Sequence, residues 1–221
     1  ALSGPINIHG DHSDMMGSRD CGWIQIYVEN AQEAYDWTLQ AFRIGEDNKV
    51  QLPVTVNLDG FILSHSMEDV EVLADEDVKK LLPPRKAYQT IDPAKPSTIG
   101  ALALPEYYYE FKKQQDEAMK GTPETLLEVA REYKKMSGRE YGILHEFGMK
   151  DADTVIVCLG STAGTARTVA EDLRKKGKKV GVIKIWMYRP FPAEELTKAL
   201  GNVKSVVVLD RALSFGAQYG G

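Results

Sequence analysis

Apolar residues fall along this chain either in short unbroken runs or at helical spacing, and the alternation of the two outlines the elements. Residues 5–9 (PINIH) read as a short strand. Residues 10–22 (GDHSDMMGSRDCG) are polar and rich in Gly and Asp, the composition of a loop or of a loop with one helical turn. Residues 23–28 (WIQIYV) are aromatic and β-branched and predict a strand. Asn30 then takes the N-cap position with Glu33 three residues on, so a capped helix starts here. Ala31, Ala34, Tyr35, Thr38, Leu39 and Phe42 follow at helical spacing up to a stop near Gly45. Residues 52–58 are a second strand run with Pro53 near its start. Strand, helix and strand with unbroken apolar strands predict a parallel sheet covered on both faces.

From residue 84 to 150 Pro83, Pro84, Pro93, Pro96 and Pro105 interrupt regular structure, so this stretch is expected to be an ordered linker crossing a surface. It carries one helix from Tyr107 and a second over 123–136, with Thr122 as N-cap and Pro123 at the first helical position. Tyr107, Tyr108 and Tyr109 are expected to pack the linker onto a domain. Beyond 151 the pattern is strand (154–159), helix (165–176, closed by Gly177), strand (179–186), helix (193–200, closed by Gly201) and strand (203–209). The handedness rule for such units makes this a small doubly wound α/β domain.

Composition narrows the classes. With 27 Lys and Arg against 32 Asp and Glu the chain is net acidic, at −5, and has no basic run, so it is not expected to bind nucleic acid. No apolar stretch approaches the roughly 20 residues that span a bilayer, and the first residues lack the charged start and apolar run of a signal peptide. Two cysteines, Cys21 and Cys158, are too few for a cluster site or a disulfide framework and suit a cytoplasmic protein. No initiator Met opens the chain and both ends fall beside strand-like runs, so it reads as a piece of a longer polypeptide.

The densest polar cluster is His9, Asp11, His12, Ser13, Asp14, Ser18, Arg19 and Asp20, directly after the first strand run. Loops at carboxyl strand ends are where parallel sheets bind ligands. The cluster suits an organic ligand or a solvated loop bonded to itself, and its spacing matches no zinc template, so no metal is assigned. Arg19 either pairs with Asp20 or faces an anionic substrate. The segment 160–164 (GSTAG) joins strand to helix but lacks the spacing and the Lys of a phosphate loop, and is read as a tight turn with Ser161 or Thr162 capping the helix. Past the second strand lie Asp59, Gly60 and Phe61, then His65 between two serines, read as a structural residue rather than a ligand contact. His145 has no visible partner, and Cys21 is read as packing. The residues alone name no reaction.

Four segments do. GDHSDMMGSRDCGWIQIYVENAQEAYD (10–36), LPVTVNLDGFILSHSMEDVEVL (52–73), IDPAKPSTIGALA (91–103) and VIKIWMYRPFP (182–192) resemble, in order and over essentially the whole chain, the alpha chains of 2-oxoacid:ferredoxin oxidoreductases, the pyruvate:ferredoxin oxidoreductase group. The resemblance implies an α/β fold: the latter part of a thiamine-diphosphate pyrimidine-binding domain over 1–85, a linker over 86–150 and an incomplete transketolase C-terminal-like doubly wound domain over 151–221. It implies oxidative decarboxylation of a 2-oxoacid, pyruvate first, with coenzyme A as acyl acceptor and ferredoxin as electron acceptor. 2-Oxoglutarate, branched-chain 2-oxoacids, arylglyoxylates and oxalate are the other substrates of the group. Thiamine diphosphate and Mg²⁺ would be shared with or held by a partner chain, 4Fe–4S clusters would sit on partner chains, and beta-, gamma- and delta-type subunits would complete the enzyme. The family's pyrimidine-contacting glutamate would lie upstream of Ala1, and its substrate-contacting arginine would directly precede it. That leaves Leu2, Ile8, His9, Asp11, His12, Ser13, Asp14 and Arg19 as a substrate-pocket wall, with no acid–base role carried over to any of them and no activity expected of this piece alone. A non-catalytic scaffold within such a complex is the alternative, and a related thiamine transketolase or dehydrogenase component is a third.

Overall fold

A computed structural model describes residues 7–100 and 102–217. After a five-residue helix α1 (Ser13–Gly17), strand β1 (Ile24–Tyr27) is buried along its whole length. It pairs in parallel with β2 (Val54–Asn57), and α2 (Ala31–Gly45) makes the crossover. The run 5–9 does not stay extended where it is described: Asn7–His9 form a turn in which Gly10 N donates to Asn7 O. Pro5 and Ile6 lie outside the described residues.

The Asn30 side chain accepts from Glu33 N, as the capping signature predicts. The Glu33 carboxylate, however, accepts from Glu29 N rather than closing the box on Asn30. The buried face of α2 is also not the apolar one. Glu33, Asp36, Trp37, Gln40 and Ile44 are buried, while Thr38 and Phe42 are exposed. Buried charges are stable only when paired and hydrogen-bonded. Here the partners come from 97 to 153 residues further along the chain: Tyr133 bonds Asp36 and Trp186 bonds Glu33.

A short helix α3 (Asp75–Leu81) precedes one long helix, α4 (Pro105–Ser137), where the sequence suggested two. Pro123 lies inside it, and Thr122 is not a cap but donates its hydroxyl to Ala118 O. An interior proline costs about 3 kcal/mol. Leu126, Val129, Ala130 and Tyr133 are buried just beyond it, and burial of such side chains contributes roughly 1.5–3 kcal/mol each, which offsets the break. Tyr107, Tyr108 and Tyr109 do not pack the linker down; all three are exposed, as is every residue of α4 from Pro105 to Gln114, so no side of these first turns is covered.

The second sheet has the order β3-β5-β4-β7, formed by β3 (Leu144–Phe147), β4 (Thr154–Cys158), β5 (Val180–Ile185) and β7 (Ser205–Leu209). β4 pairs in parallel with β5 and β7, whereas β3 is an antiparallel edge. Helices α5 (Thr162–Lys175) and α6 (Ala193–Leu200) are the crossovers. β7 is exposed at every position although its sequence is SVVVL. After β5 the chain passes through Trp186 into β6 (Met187–Arg189), which pairs antiparallel with β1 in the first sheet. One stretch of backbone therefore belongs to both sheets. The packing follows: Met16 and Tyr27 from the first part share a buried cluster with Val155, Ile183, Tyr188 and Leu196 from the second.

Candidate functional site

The carboxyl ends of β1 and β2 meet the turn between β4 and α5, and the polar loop after residue 9 closes over them. Asp59, two residues past β2, is 6% exposed and so is His12. Three groups converge on the Asp59 carboxylate: His12 Nε2 on Oδ1 at 2.6 Å, Arg211 Nη1 on Oδ1 at 3.2 Å and Ser161 N on Oδ2 at 2.7 Å. Burial works against the charge, but the hydrogen bonds from His12 and Ser161 outweigh it and hold this carboxyl down at about 2. Asp59 is then an acceptor only, so His12 Nε2 is the donor and Nδ1 is the free nitrogen. His12 Nδ1 has no hydrogen-bond partner among the described residues, and neither has Tyr27 Oη. The two rings lie 5.0 Å apart, centroid to centroid. Burial, then the neighbouring Tyr188, Asp14 and Asp210, push the Tyr27 phenol above its ordinary range, so it remains a donor.

The backbone explains why these groups meet. Gly160 has φ +59°, and a Cβ there would stand 2.7 Å from Asp59 Oδ2, so only glycine lets the carboxylate reach the start of α5. Ser161 is the N-cap residue, yet neither it nor Thr162 caps the helix with its side chain; Asp59 supplies the anion instead. From the far side, Arg211 also donates to the carbonyls of His9 and Gly10, and His12 N donates to Arg211 O. Beside these contacts lies an open-mouthed cavity of about 340 Å³ lined by Asp11, His12, Asp14, Tyr27, Asn57 and Asp59 among others. A larger groove, of about 560 Å³, runs along α2 and β2 past Phe42, Val54 and Val56, but no hydrogen-bonded pair of ionisable side chains faces into it.

Of the residues singled out by sequence, Asp11, His12 and Asp14 line this cavity. Ser13 turns its hydroxyl onto Asp11 Oδ1 at 2.5 Å. His9 packs edge-on against Phe61, and Ile8 is 64% exposed. Arg19 reaches Asp20 only at 3.8 Å and is not part of the cavity wall. Leu2 lies outside the described residues. His65 bonds Ser64 Oγ and stacks on Phe61, as a structural residue does. His145 does have partners: it lies on β3 against Trp186, and burial together with Lys184 and Arg167 lowers its pKa. Cys21 is exposed rather than packed. Tyr27, Asp59 and Arg211 were given no functional weight by sequence, although Asp59 stands at a strand end, where such a role is expected. Among the described residues no group of three His, Cys, Asp or Glu is arranged to hold a metal ion, and no helix is long and apolar enough to cross a membrane. What the cavity offers a thiamine cofactor is a polar wall, His12 Nδ1 and Tyr27 Oη, and not a cation-binding cluster for its diphosphate.

Comparison with known proteins adds the lineage. Residues 152–221 match pyruvate:ferredoxin oxidoreductase core domain II. The chain is 53% identical over 219 residues to pyruvate synthase subunit PorA of Thermotoga maritima, covering 99% of this chain and 56% of that protein. It is 40% identical over 220 residues to ketoisovalerate oxidoreductase subunit VorA of Pyrococcus abyssi, covering 99% of this chain and 55% of that protein. It thus spans a little over half the length of these relatives. A 2-oxoglutarate:ferredoxin oxidoreductase from Magnetococcus marinus, solved with 2-oxoglutarate, coenzyme A and succinyl-CoA bound, shares the fold, with a TM-score of 0.64 at 16% identity over 98% of this chain and 40% of that one. Residues 1–131 match the thiamine-diphosphate-binding family of pyruvate flavodoxin/ferredoxin oxidoreductases, and the chain belongs to that family.

Proposed function

We propose that this chain is part of the alpha subunit of a cytoplasmic, thiamine-diphosphate-dependent 2-oxoacid:ferredoxin oxidoreductase, which decarboxylates a 2-oxoacid oxidatively, passes the acyl group to coenzyme A and sends electrons through 4Fe–4S clusters on partner chains to ferredoxin. The observation that carries this is the chain-long match to pyruvate synthase subunit PorA proteins. Pyruvate is the first choice of substrate because the 53% relative is a pyruvate synthase subunit, while the 40% ketoisovalerate relative keeps a branched 2-oxoacid in the test.

Within that enzyme residues 1–85 belong to a pyrimidine-binding domain, 86–150 to a linker and 151–221 to a transketolase C-terminal-like domain. Thiamine diphosphate, when bound, supplies the electron sink for decarboxylation. This chain's contribution is a wall beside the substrate, built by Asp11, His12 and Asp14 of the loop and backed by Tyr27 and Asp59. Mg²⁺ and the diphosphate are assigned to a beta-type partner, and gamma- and delta-type subunits complete the complex. The test is to purify the complex with all its subunits and follow coenzyme A-dependent reduction of ferredoxin or a viologen with pyruvate, 2-oxoglutarate and 2-ketoisovalerate. Turnover is expected, fastest with pyruvate; no reduction with any 2-oxoacid rejects the proposal.

A further inference from the structure

A buried charge cluster whose residues do not line the cavity lies where the two parts of the molecule meet. Lys184 Nζ, on β5, donates to Glu29 Oε2 at 2.6 Å and to Glu33 Oε1. Arg167 Nη2, on α5, donates to Glu29 Oε1 at 3.0 Å, while Trp186 Nε1 and Glu29 N both donate to Glu33 Oε2. Glu29 comes this close to α5 because residue 164 is glycine; a Cβ there would stand 2.8 Å from Glu29 Oε1. Two cations thus face two carboxylates, and each of the four carboxylate oxygens is already bonded. His145 stands beside this balanced set. It is directly opposite Lys184 in the antiparallel pairing of β3 with β5, and such residues share a face of the sheet. Its ring lies 5.3 Å from that of Trp186, and Lys184 Nζ sits 4.7 Å from the centroid of the same indole. We propose that His145 is an acid-sensitive lock on the junction of the two sheets: neutral, it packs on Trp186 and keeps β3 on β5; protonated, it drives β3 off β5 and loosens the seam. The inference goes beyond the function proposed above and uses no step of it.

The groups around the ring set the sign. Burial disfavours a charged imidazole first. Lys184 from β5 and Arg167 from α5 add to it, and Glu29, after β1, and Glu33, on α2, only partly offset it because they are committed to those same cations; the pKa is lowered. A proton on His145 would set three cations against two carboxylates, and like charges directly opposite on paired strands are destabilising. Once β3 has left β5, His145 is an ordinary imidazole that titrates near 6.5. Below that pH the open form therefore binds more protons than the closed one. The closing equilibrium weakens by up to about tenfold for each further pH unit, until the closed form is protonated as well. Above that range the lock is fully engaged.

The experiment is hydrogen–deuterium exchange of the complete complex from about pH 7.5 to about pH 5, each rate being divided by the intrinsic rate of its amide at that pH. In the wild type, protection over residues 143–147 and 180–187 is expected to fall below about pH 6.5, by at most about tenfold per unit. Protection over 125–133 of α4, which Asp36 ties to α2, is expected to stay constant. His145→Gln has no titrating ring and is expected to hold its protection over the whole range. Arg167→Gln removes one of the two opposing cations and is expected to make the fall smaller. A fall in His145→Gln as steep as in the wild type overturns the lock, as does an equal fall on α4, the mark of general acid loosening. Should His145→Gln not assemble, Arg167→Gln decides alone, and a fall as large as in the wild type then overturns it. The readout needs no turnover, so this failure leaves the proposed function standing, and a complex inert toward every 2-oxoacid leaves the lock standing.

Discussion

Two buried aspartates make an instructive contrast. Asp36, on α2, is completely enclosed, and its two oxygens accept from the hydroxyls of Tyr133 and Tyr141, from Nε and Nη2 of Arg139 and from the Gln32 amide. Arg139 spends its remaining nitrogen on Glu71. Each of these hydroxyls, guanidinium nitrogens and carboxylate oxygens is paired, although Trp37 Nε1 and Gln40 Oε1 on the same helix have no partner among the described residues. Asp59 is nearly as buried and nearly as well bonded, but its histidine has a spare nitrogen and faces a hollow. Saturated acceptors tie α4 to α2; the unsaturated partner at Asp59 gives the molecule something to offer a ligand. Burial is common to both; what separates them is that the unpaired atoms beside Asp59 belong to residues lining a cavity.

The contrast is broken most decisively at Asp36. Asp36→Ala strands two phenols and a guanidinium, and removal of one partner from a buried charge pair costs roughly 3–5 kcal/mol. At this chain length that is about 10 °C in Tm, measured by calorimetry or circular dichroism of the assembled protein, with KM for the 2-oxoacid unmoved in whatever fraction remains folded. A Tm within 2 °C of wild type would show that the cluster is not the scaffold it is taken for. Lys184→Met comes next. Lys184 Nζ sits buried between Glu29 and Glu33, so its loss leaves two carboxylates facing each other, and a loss of roughly 2–4 kcal/mol is expected from equilibrium denaturation.

Asp59 gives a smaller and pH-dependent effect. Its folded pKa, about 2, is depressed below the unfolded value near 3.9, so its contribution is complete above pH 4 and is lost as the pH falls toward 2. The size is roughly 2–3 kcal/mol. Unfolding free energies of wild type and Asp59→Asn should therefore converge across that window, and a constant gap between them would show that the carboxylate is not held as described. The smallest change belongs to Asn30→Ala, which removes the side-chain cap from Glu33 N for about 1 kcal/mol, read from the denaturation midpoint at unaltered m-value.

How much of this was legible beforehand depends on the distance over which each feature is specified. β1, β4, β5 and α6 are written in local runs, and the starts of α2 and β2 in a cap and a proline, so their places could be read directly. The continuity of α4 was hidden by Pro123, since a local rule cannot weigh the burial of Leu126 and Val129 on the far side of it. The buried face of α2 was hidden because Asp36 and Glu33 look like solvent-facing residues until Tyr133, Tyr141, Lys184 and Trp186 arrive from elsewhere. The loop with Asp11 and His12 was visible as a polar cluster following a short apolar run, although that run is a turn rather than a strand where it is described. Its anchor was not, for Asp59 looked like one more turn aspartate and Arg211 lay 152 residues beyond it.

The passage of the backbone from β5 through Trp186 into β6 has a consequence for how the molecule opens. Amides on either side of Trp186 are bonded into different sheets, with Trp186 N donating to Ile143 O and Tyr27 N donating to Trp186 O. Neither layer can be exposed to solvent without pulling on the ladder of the other. In hydrogen–deuterium exchange, the protected amides of residues 24–27 and 180–187 should therefore exchange together as a single cooperative unit, well after those of the exposed valine strand β7.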